Sequence, residues 1–227
     1  MGIVPELRQH GMPNFVLPAA PMKVPARRST ALRRHAAALA VAVGLLSPLS
    51  AISTHAMAME IEGVRFDDAT RVGGKELQLN GAGLRAVFVI KGYAAGLYLP
   101  ERSRNATVAL GTHGPKRLQI RPLREVESDA FVKALNTGLR ENHSEPQLKL
   151  LADRLTQLEQ TMNLVGTARR GDVINFDYAP ESGTVVAVNG IPRGRPIPGE
   201  DFYQAVLRIF LGEHPVDREL KRGLLGG

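Results

Sequence analysis

The sequence predicts an α+β domain, and three observations predict it. Extended patterns come first, then two helical patterns, then a meander of extended segments and two further helices, an order unlike regular βαβ alternation. The stretch Leu77–Leu99 is the longest apolar run outside the N-terminal segment and is rich in β-branched and aromatic residues, the signature of sheet core. Leu148, Leu151, Leu155, Leu158 and Met162 recur at spacings of three and four, which predicts an amphipathic helix of about five turns lying on that sheet.

The 227 residues divide into a leader, 1–58, and a body, 59–227, expected to be a single domain. From Met22 the chain has a basic segment, an apolar segment from Ala36 to Leu46, and the ending Ala56-Met57-Ala58. That pattern is a secretory signal peptide with cleavage expected near Ala58 and Met22 as the expected initiator, Met1–Pro21 being an over-extended start. The alternative is an uncleaved membrane anchor at Ala36–Leu46, though this run is short for a span. A periplasmic or secreted location follows from the first reading. Of 29 Lys and Arg and 22 Asp and Glu, six and one precede Met59, so the body carries 23 against 21, a balance of +2. No electrostatic footprint for nucleic acid results. Cysteine is absent, which excludes a thiol nucleophile, a thiolate metal site, disulfides and a lipidated cysteine. No metal site or cofactor is expected, since metal-ligand spacing, nucleophile elbow and phosphate-loop patterns are all missing.

Taken in order, Glu60–Phe66 reads as a short strand, and Gly73-Gly74 within Thr70–Leu79 as a hairpin turn. A short helix is expected within Ser103–Thr112 and a strand at Lys116–Ile120. Ser128 is expected to cap a helix through Arg140, with Asp129 in its first turn and Phe131, Leu135 and Leu139 as its buried stripe. Ser144 and Gln147 have capping-box spacing ahead of the long leucine-striped helix. Val173–Tyr178 and Thr184–Val188 form a hairpin, and Asn189-Gly190 turns the chain into a third strand near Ile191. Asp201–Leu211 is helical with Phe202 and Ile209 inward and Gly212 at its end, and Asp217 caps a last helix through Leu224.

Two charged residues interrupt the central run, Arg85 and Lys91, and a guanidinium inside a sheet core must find an anion or several acceptors. Lys91 reads as a solvated or snorkelling side chain, and Tyr98 as core with its hydroxyl at a wet edge. His214, between Gly212 and Pro215, reads as a local helix-end group.

The pattern NGAGLRAVFVIKGYAAGLYLP, followed by FYQAVLRIFLGEHPVDRELKRGLL, resembles the chalcone isomerase family, especially its bacterial chalcone-isomerase-like members. The similarity spans roughly 60–225. It implies a large antiparallel sheet curled against helices with a ligand cleft between the two layers. In true isomerases an arginine activates a phenolate while threonine, tyrosine and water stabilise an enolate, without metal or covalent step. Arg85 matches the family arginine, Tyr93 stands where plant isomerases carry a threonine, and Asn136 matches the helix asparagine. Asp129 replaces a catalytic tyrosine, and Ile209 and Phe210 replace a polar pair, so the isomerase set is incomplete.

What survives resembles the fatty-acid-binding branch, in which Arg85 and Tyr93 would hold a carboxylate while Phe131, Leu135, Ile209 and Phe210 suit an acyl chain. A small amphipathic or lipid ligand is thus the expected partner, without nucleic acid or stable membrane insertion of the mature chain. An intramolecular lyase using Arg85, Tyr93 and Asn136 on a flavonoid-like or other enone substrate is the alternative. A non-catalytic scaffold, with Arg85 satisfied internally, is a third. One geometric condition governs the first two. On one unbroken strand Arg85 and Tyr93 would lie roughly 26 Å apart, so the resemblance requires a bend or hairpin between them, where Gly92 is the only glycine.

Overall fold

The computed structural model describes residues 58–227. The initiator, signal-peptide and anchor readings fall on 1–58 and so lie, apart from Ala58, outside the described residues. A two-stranded hairpin, β1 (Met59–Ile61) and β2 (Val64–Phe66), precedes a seven-stranded sheet. The sheet runs antiparallel in chain order: β3 (Ala69–Val72), β4 (Lys75–Val87), β5 (Ile90–Leu99), β6 (Lys116–Pro122), β7 (Ile174–Ala179), β8 (Gly183–Val188) and β9 (Ile191–Ile197). Five helices complete the fold: α1 (Ala106–Gly111), α2 (Ser128–Asn142), α3 (Glu145–Val165), α4 (Glu200–Leu211) and α5 (Arg218–Leu224). This is the expected α+β architecture, a curled antiparallel sheet packed against helices. Among the described residues no helix is long and apolar enough to cross a membrane.

Most local expectations hold, and the differences have plain causes. Glu60–Phe66 is a hairpin rather than one strand, because Glu62-Gly63 takes positive φ and reverses the chain. Ser128 is the first residue of α2 rather than its cap; Glu127 holds the cap position and makes no side-chain hydrogen bond there. At α3 the Ser144 N–H donates to Gln147 Oε1 at 2.9 Å, the capping-box contact read from spacing. At α5 Asp217 Oδ1 accepts from the Leu220 N–H at 2.9 Å. Helix α4 is buried on nearly every side, Tyr203, Leu207 and Phe210 included, so its interior position exceeds a one-face stripe.

Two cores flank the sheet. The larger joins alternate residues of β5–β9, among them Ala95, Leu118, Ile174, Phe176 and Val186, to α2, α3, α4 and α5. The smaller lies on the opposite face, where Phe66 of β2 covers Leu77, Leu79, Ala82, Ala94 and Tyr98. Strand β4 changes faces between these cores. Leu79 pairs with Tyr98 and Gly81 with Leu97, leaving Asn80 as the extra residue of a bulge. Beyond it Gly81 and Gly83 turn toward the helical layer, and α5 lies directly on them. A Cβ on Gly81 would collide with the Gly223 carbonyl oxygen. The buried Asn80 side chain holds the bulge: Nδ2 donates to Leu224 O at 2.7 Å and Ser103 O at 3.0 Å, and Oδ1 accepts from Ser103 N–H at 2.6 Å. Replacing Asn80 by Leu leaves those buried groups unpaired and is expected to cost about 3 kcal/mol in urea unfolding.

The sheet is tied to α4 by a buried charge. Lys116, wholly buried, donates from Nζ to Glu200 Oε1 at 2.9 Å and Gly114 O at 3.0 Å, and lies 5.1 Å from the Tyr178 ring centroid. Burial lowers the Lys116 pKa, opposed by Glu200. Burial alone pushes the Glu200 carboxyl up, but hydrogen bonds from His113 and Lys116 outweigh it and hold the group below its ordinary value. The unfolded chain then binds the Glu200 proton at higher pH than the folded one. The contribution is whole above the ordinary glutamate range and is lost as pH falls through the folded value. Glu200→Gln is expected to lower unfolding free energy by about 2 kcal/mol at neutral pH. In urea titrations at a series of pH values, the gap between the two proteins should close as the medium turns acid.

Candidate functional site

The condition on Arg85 and Tyr93 is met by a hairpin. Strand β4 reverses at Phe88-Val89, Val87 pairs with Ile90, and Arg85 stands directly opposite Tyr93. Paired residues of an antiparallel ladder project to the same face, and the Arg85 Cζ lies 5.9 Å from the Tyr93 ring centroid. The reversal is not at Gly92. Arg85 pairs with Tyr93 and Ala86 with Lys91, so Gly92 is the residue that a second bulge leaves unpaired. Phe88 opens the two-residue turn at φ 54°, a conformation that suits glycine or asparagine and strains a bulky side chain.

Arg85 and Tyr93 face a cavity of about 680 Å³ between the sheet and the helical layer, within the range of roughly 300–1,000 Å³ usual for small-molecule sites. Its floor is Ile120 and Pro122 of β6 and Ile174 of β7; Phe131 and Leu135 of α2 and Ile209 and Phe210 of α4 form the opposite wall. Phe131 is fixed by stacking on Phe176, ring centroids 6.3 Å apart and planes 9° from parallel. The loop 123–127 borders the mouth with Arg124, Glu125 and Glu127. It is pinned by reciprocal hydrogen bonds of 2.8 Å between Val126 and Ala168. Arg124 and Glu127 leave no mark in the sequence, because they sit in a polar connection whose closeness to the cavity depends on long-range backbone hydrogen bonds.

Burial pushes the Tyr93 phenol far above its ordinary range, Arg85 pulling the other way and Asp217 adding to the rise. The group therefore stays protonated and serves as an O–H donor rather than a base. Among the described residues no carboxylate forms an ion pair with Arg85. Guanidinium and phenol together present a fixed cation and a neutral donor to one end of an apolar space, an arrangement able to hold a carboxylate, phenolate or enolate.

The other expected residues divide cleanly. Phe131, Ile209 and Phe210 line the cavity with Arg85 and Tyr93. Asn136 does not: its Nδ2 donates to Glu159 Oε1 at 2.6 Å and ties α2 to α3. Asp129 is exposed and absent from the lining. Lys91 pairs with Glu62 at 2.5 Å, and Tyr98 lies in the opposite core, its phenol pushed up to about 12 by burial, with Asp67 adding. The backbone of His214 exchanges hydrogen bonds with the Asn142 side chain, N–H to Oδ1 at 3.1 Å and Nδ2 to O at 2.7 Å, joining the end of α2 to the α4–α5 loop.

Fold and cavity together define an α+β protein with a ligand-sized cleft between its seven-stranded sheet and the helices. The chain belongs to the chalcone isomerase-like family, whose model matches residues 58–226. Its fold is similar to that of a fatty-acid binding protein of Arabidopsis thaliana, with a TM-score of 0.54 and 15% identity over 74% of this chain and 95% of that one. At that identity the likeness concerns the fold alone. Comparison with curated proteins returns no match.

Because Arg85 forms no ion pair with a described residue, its removal is expected to change stability little. Arg85→Ala should shift unfolding free energy by less than about 1 kcal/mol in urea titration. A loss of about 3 kcal/mol or more would reveal an internal partner and favour the scaffold reading.

Proposed function

We propose that the protein binds a long-chain fatty acid, its carboxylate held by Arg85 and Tyr93 and its acyl chain running along Phe131, Ile209 and Phe210. The observation that carries this reading is the pairing of Arg85 with Tyr93 in a cavity whose inner walls are apolar and whose other charged groups, Arg124, Glu125 and Glu127, border the mouth. A guanidinium offers two parallel donors to a carboxylate and the protonated phenol adds a third. Each buried methylene contributes about 0.8 kcal/mol before ordering costs, so an apolar wall suffices for the tail. The Arabidopsis protein of similar fold is itself a fatty-acid binding protein, which accords with the reading. The cyclising-lyase alternative has less support, since Ile209 and Phe210 offer no hydroxyl to an enolate and Asn136 is engaged by Glu159. On the resemblance of its central and C-terminal motifs we assign the chain to the bacterial branch of the family, and on the sequence of its leader to the periplasm or exterior, after cleavage near Ala58.

Native mass spectrometry of the protein recovered from expressing cells tests both parts. The parent is expected to begin at Met59 and to carry a mass that organic extraction identifies as a fatty acid. Arg85→Ala should bind added long-chain acid about 30-fold more weakly, equivalent to about 2 kcal/mol. Both proteins flying empty after incubation with such acids would overturn the reading and direct attention to enone cyclisation.

A further inference from the structure

The most exposed apolar group among the described residues is the tip of the β4–β5 hairpin, and we propose that this tip docks the protein on a lipid bilayer, setting the cavity mouth in the interface. Passage of an acyl chain from membrane to cavity, the purpose of such docking, rests on the fatty-acid reading above; the docking itself does not.

The side chains are consecutive. Phe88 is 97% exposed, Val89 91%, Ile90 51% and Val87 46%. The β5–β6 ladder ends at Tyr93–Pro122, with one further hydrogen bond from the Leu123 N–H to Gly92 O, so the turn overhangs the strand beside it. Local chemistry argues against an accidental origin. A two-residue hairpin turn in water favours glycine, asparagine or aspartate, yet here a phenylalanine holds the left-handed position at φ 54°. Such conflict between a local preference and the residue present is expected where function requires the residue.

Size and position select the occupant. The four side chains expose roughly 500 Å² in all, below the roughly 800 Å² per partner of a standard protein interface. The tip is convex, suited to entering a soft apolar medium rather than receiving a partner's knob. Val87 and Ile90 also line the cavity, so the surface that enters the bilayer is continuous with the wall that would receive an acyl chain. Charge around the tip is balanced: Lys91 is paired with Glu62, and Arg85 and Arg124 are set against Glu125 and Glu127. Binding driven by apolar insertion should therefore occur on zwitterionic lipid and respond weakly to salt.

The chain contains no tryptophan, so a single one reports its own surroundings. In the full chain bearing Phe88→Trp, phosphatidylcholine vesicles are expected to shift the emission to the blue, and lipids brominated in the acyl chain to quench it. Leu164→Trp, at a 63% exposed site on α3, should show neither effect. Phe88→Gly relieves the turn and should keep the parent's fatty-acid affinity in solution while lowering the rate of transfer from vesicles at least tenfold. The proposal is overturned if the Phe88→Trp emission is unmoved while the chain cosediments with vesicles, which would locate any anchor elsewhere. It is equally overturned if that emission shifts with protein concentration alone, which would mean that a second copy covers the tip. Insertion of the tip without any fatty-acid binding in solution would sink the ligand reading and leave docking standing; binding without insertion would do the reverse.

Discussion

The bulge at Asn80 is the constraint on which the site depends. Side chains alternate along a strand, so without an extra residue Arg85 would share a face with Leu77 and Leu79 beneath Phe66. The bulge reverses the parity, and Gly81, Gly83 and Arg85 turn to the helical layer together. Its stability comes from a buried side chain whose donors and acceptor are all matched, one of them by the last carbonyl of α5. The residue that turns the strand also fixes the helix that lies on it.

From that reversal the cavity follows by steric argument. Helix α5 covers the part of β4 where glycines allow backbone to meet backbone. Where the glycines end, Arg85 begins, and the space between sheet and helices is left to Arg85, Tyr93 and the apolar faces of α2 and α4. Position along one strand therefore decides between packing and binding. The polar end is pre-organised, because Arg85 and Tyr93 are locked in register by the ladder rather than held by flexible loops. Burial keeps the phenol protonated beside a permanent cation, so the pair offers donors only.

Helix α4 gives this arrangement its rigidity. Nearly every side chain from Phe202 to Leu211 is buried, and the Lys116–Glu200 pair ties its first turn to the start of β6. Ile209 and Phe210 reach the cavity from the same helix whose other faces fill the larger core. A change in cavity shape thus requires the core to move, whereas the hairpin tip beyond Tyr93 is free of that core.

Most elements are legible in the sequence, because capping residues, leucine spacing and Asn-Gly or Gly-Gly turns act over a few residues and leave local marks. It also pointed to Arg85, since a guanidinium in an apolar run is costly wherever that run is buried. Where turn chemistry was atypical it was silent: Val87–Ile90 contains no glycine, proline, asparagine or aspartate, so no local signal places there the reversal that the resemblance requires between Arg85 and Tyr93. Three features show only in the folded chain: Arg85 meets Tyr93, Asn136 turns to Glu159, and Arg124 and Glu127 border the mouth. The physical reason is common to all three. Strand register, bulge parity and helix approach are settled by contacts between residues far apart in the chain, and no local spacing encodes them.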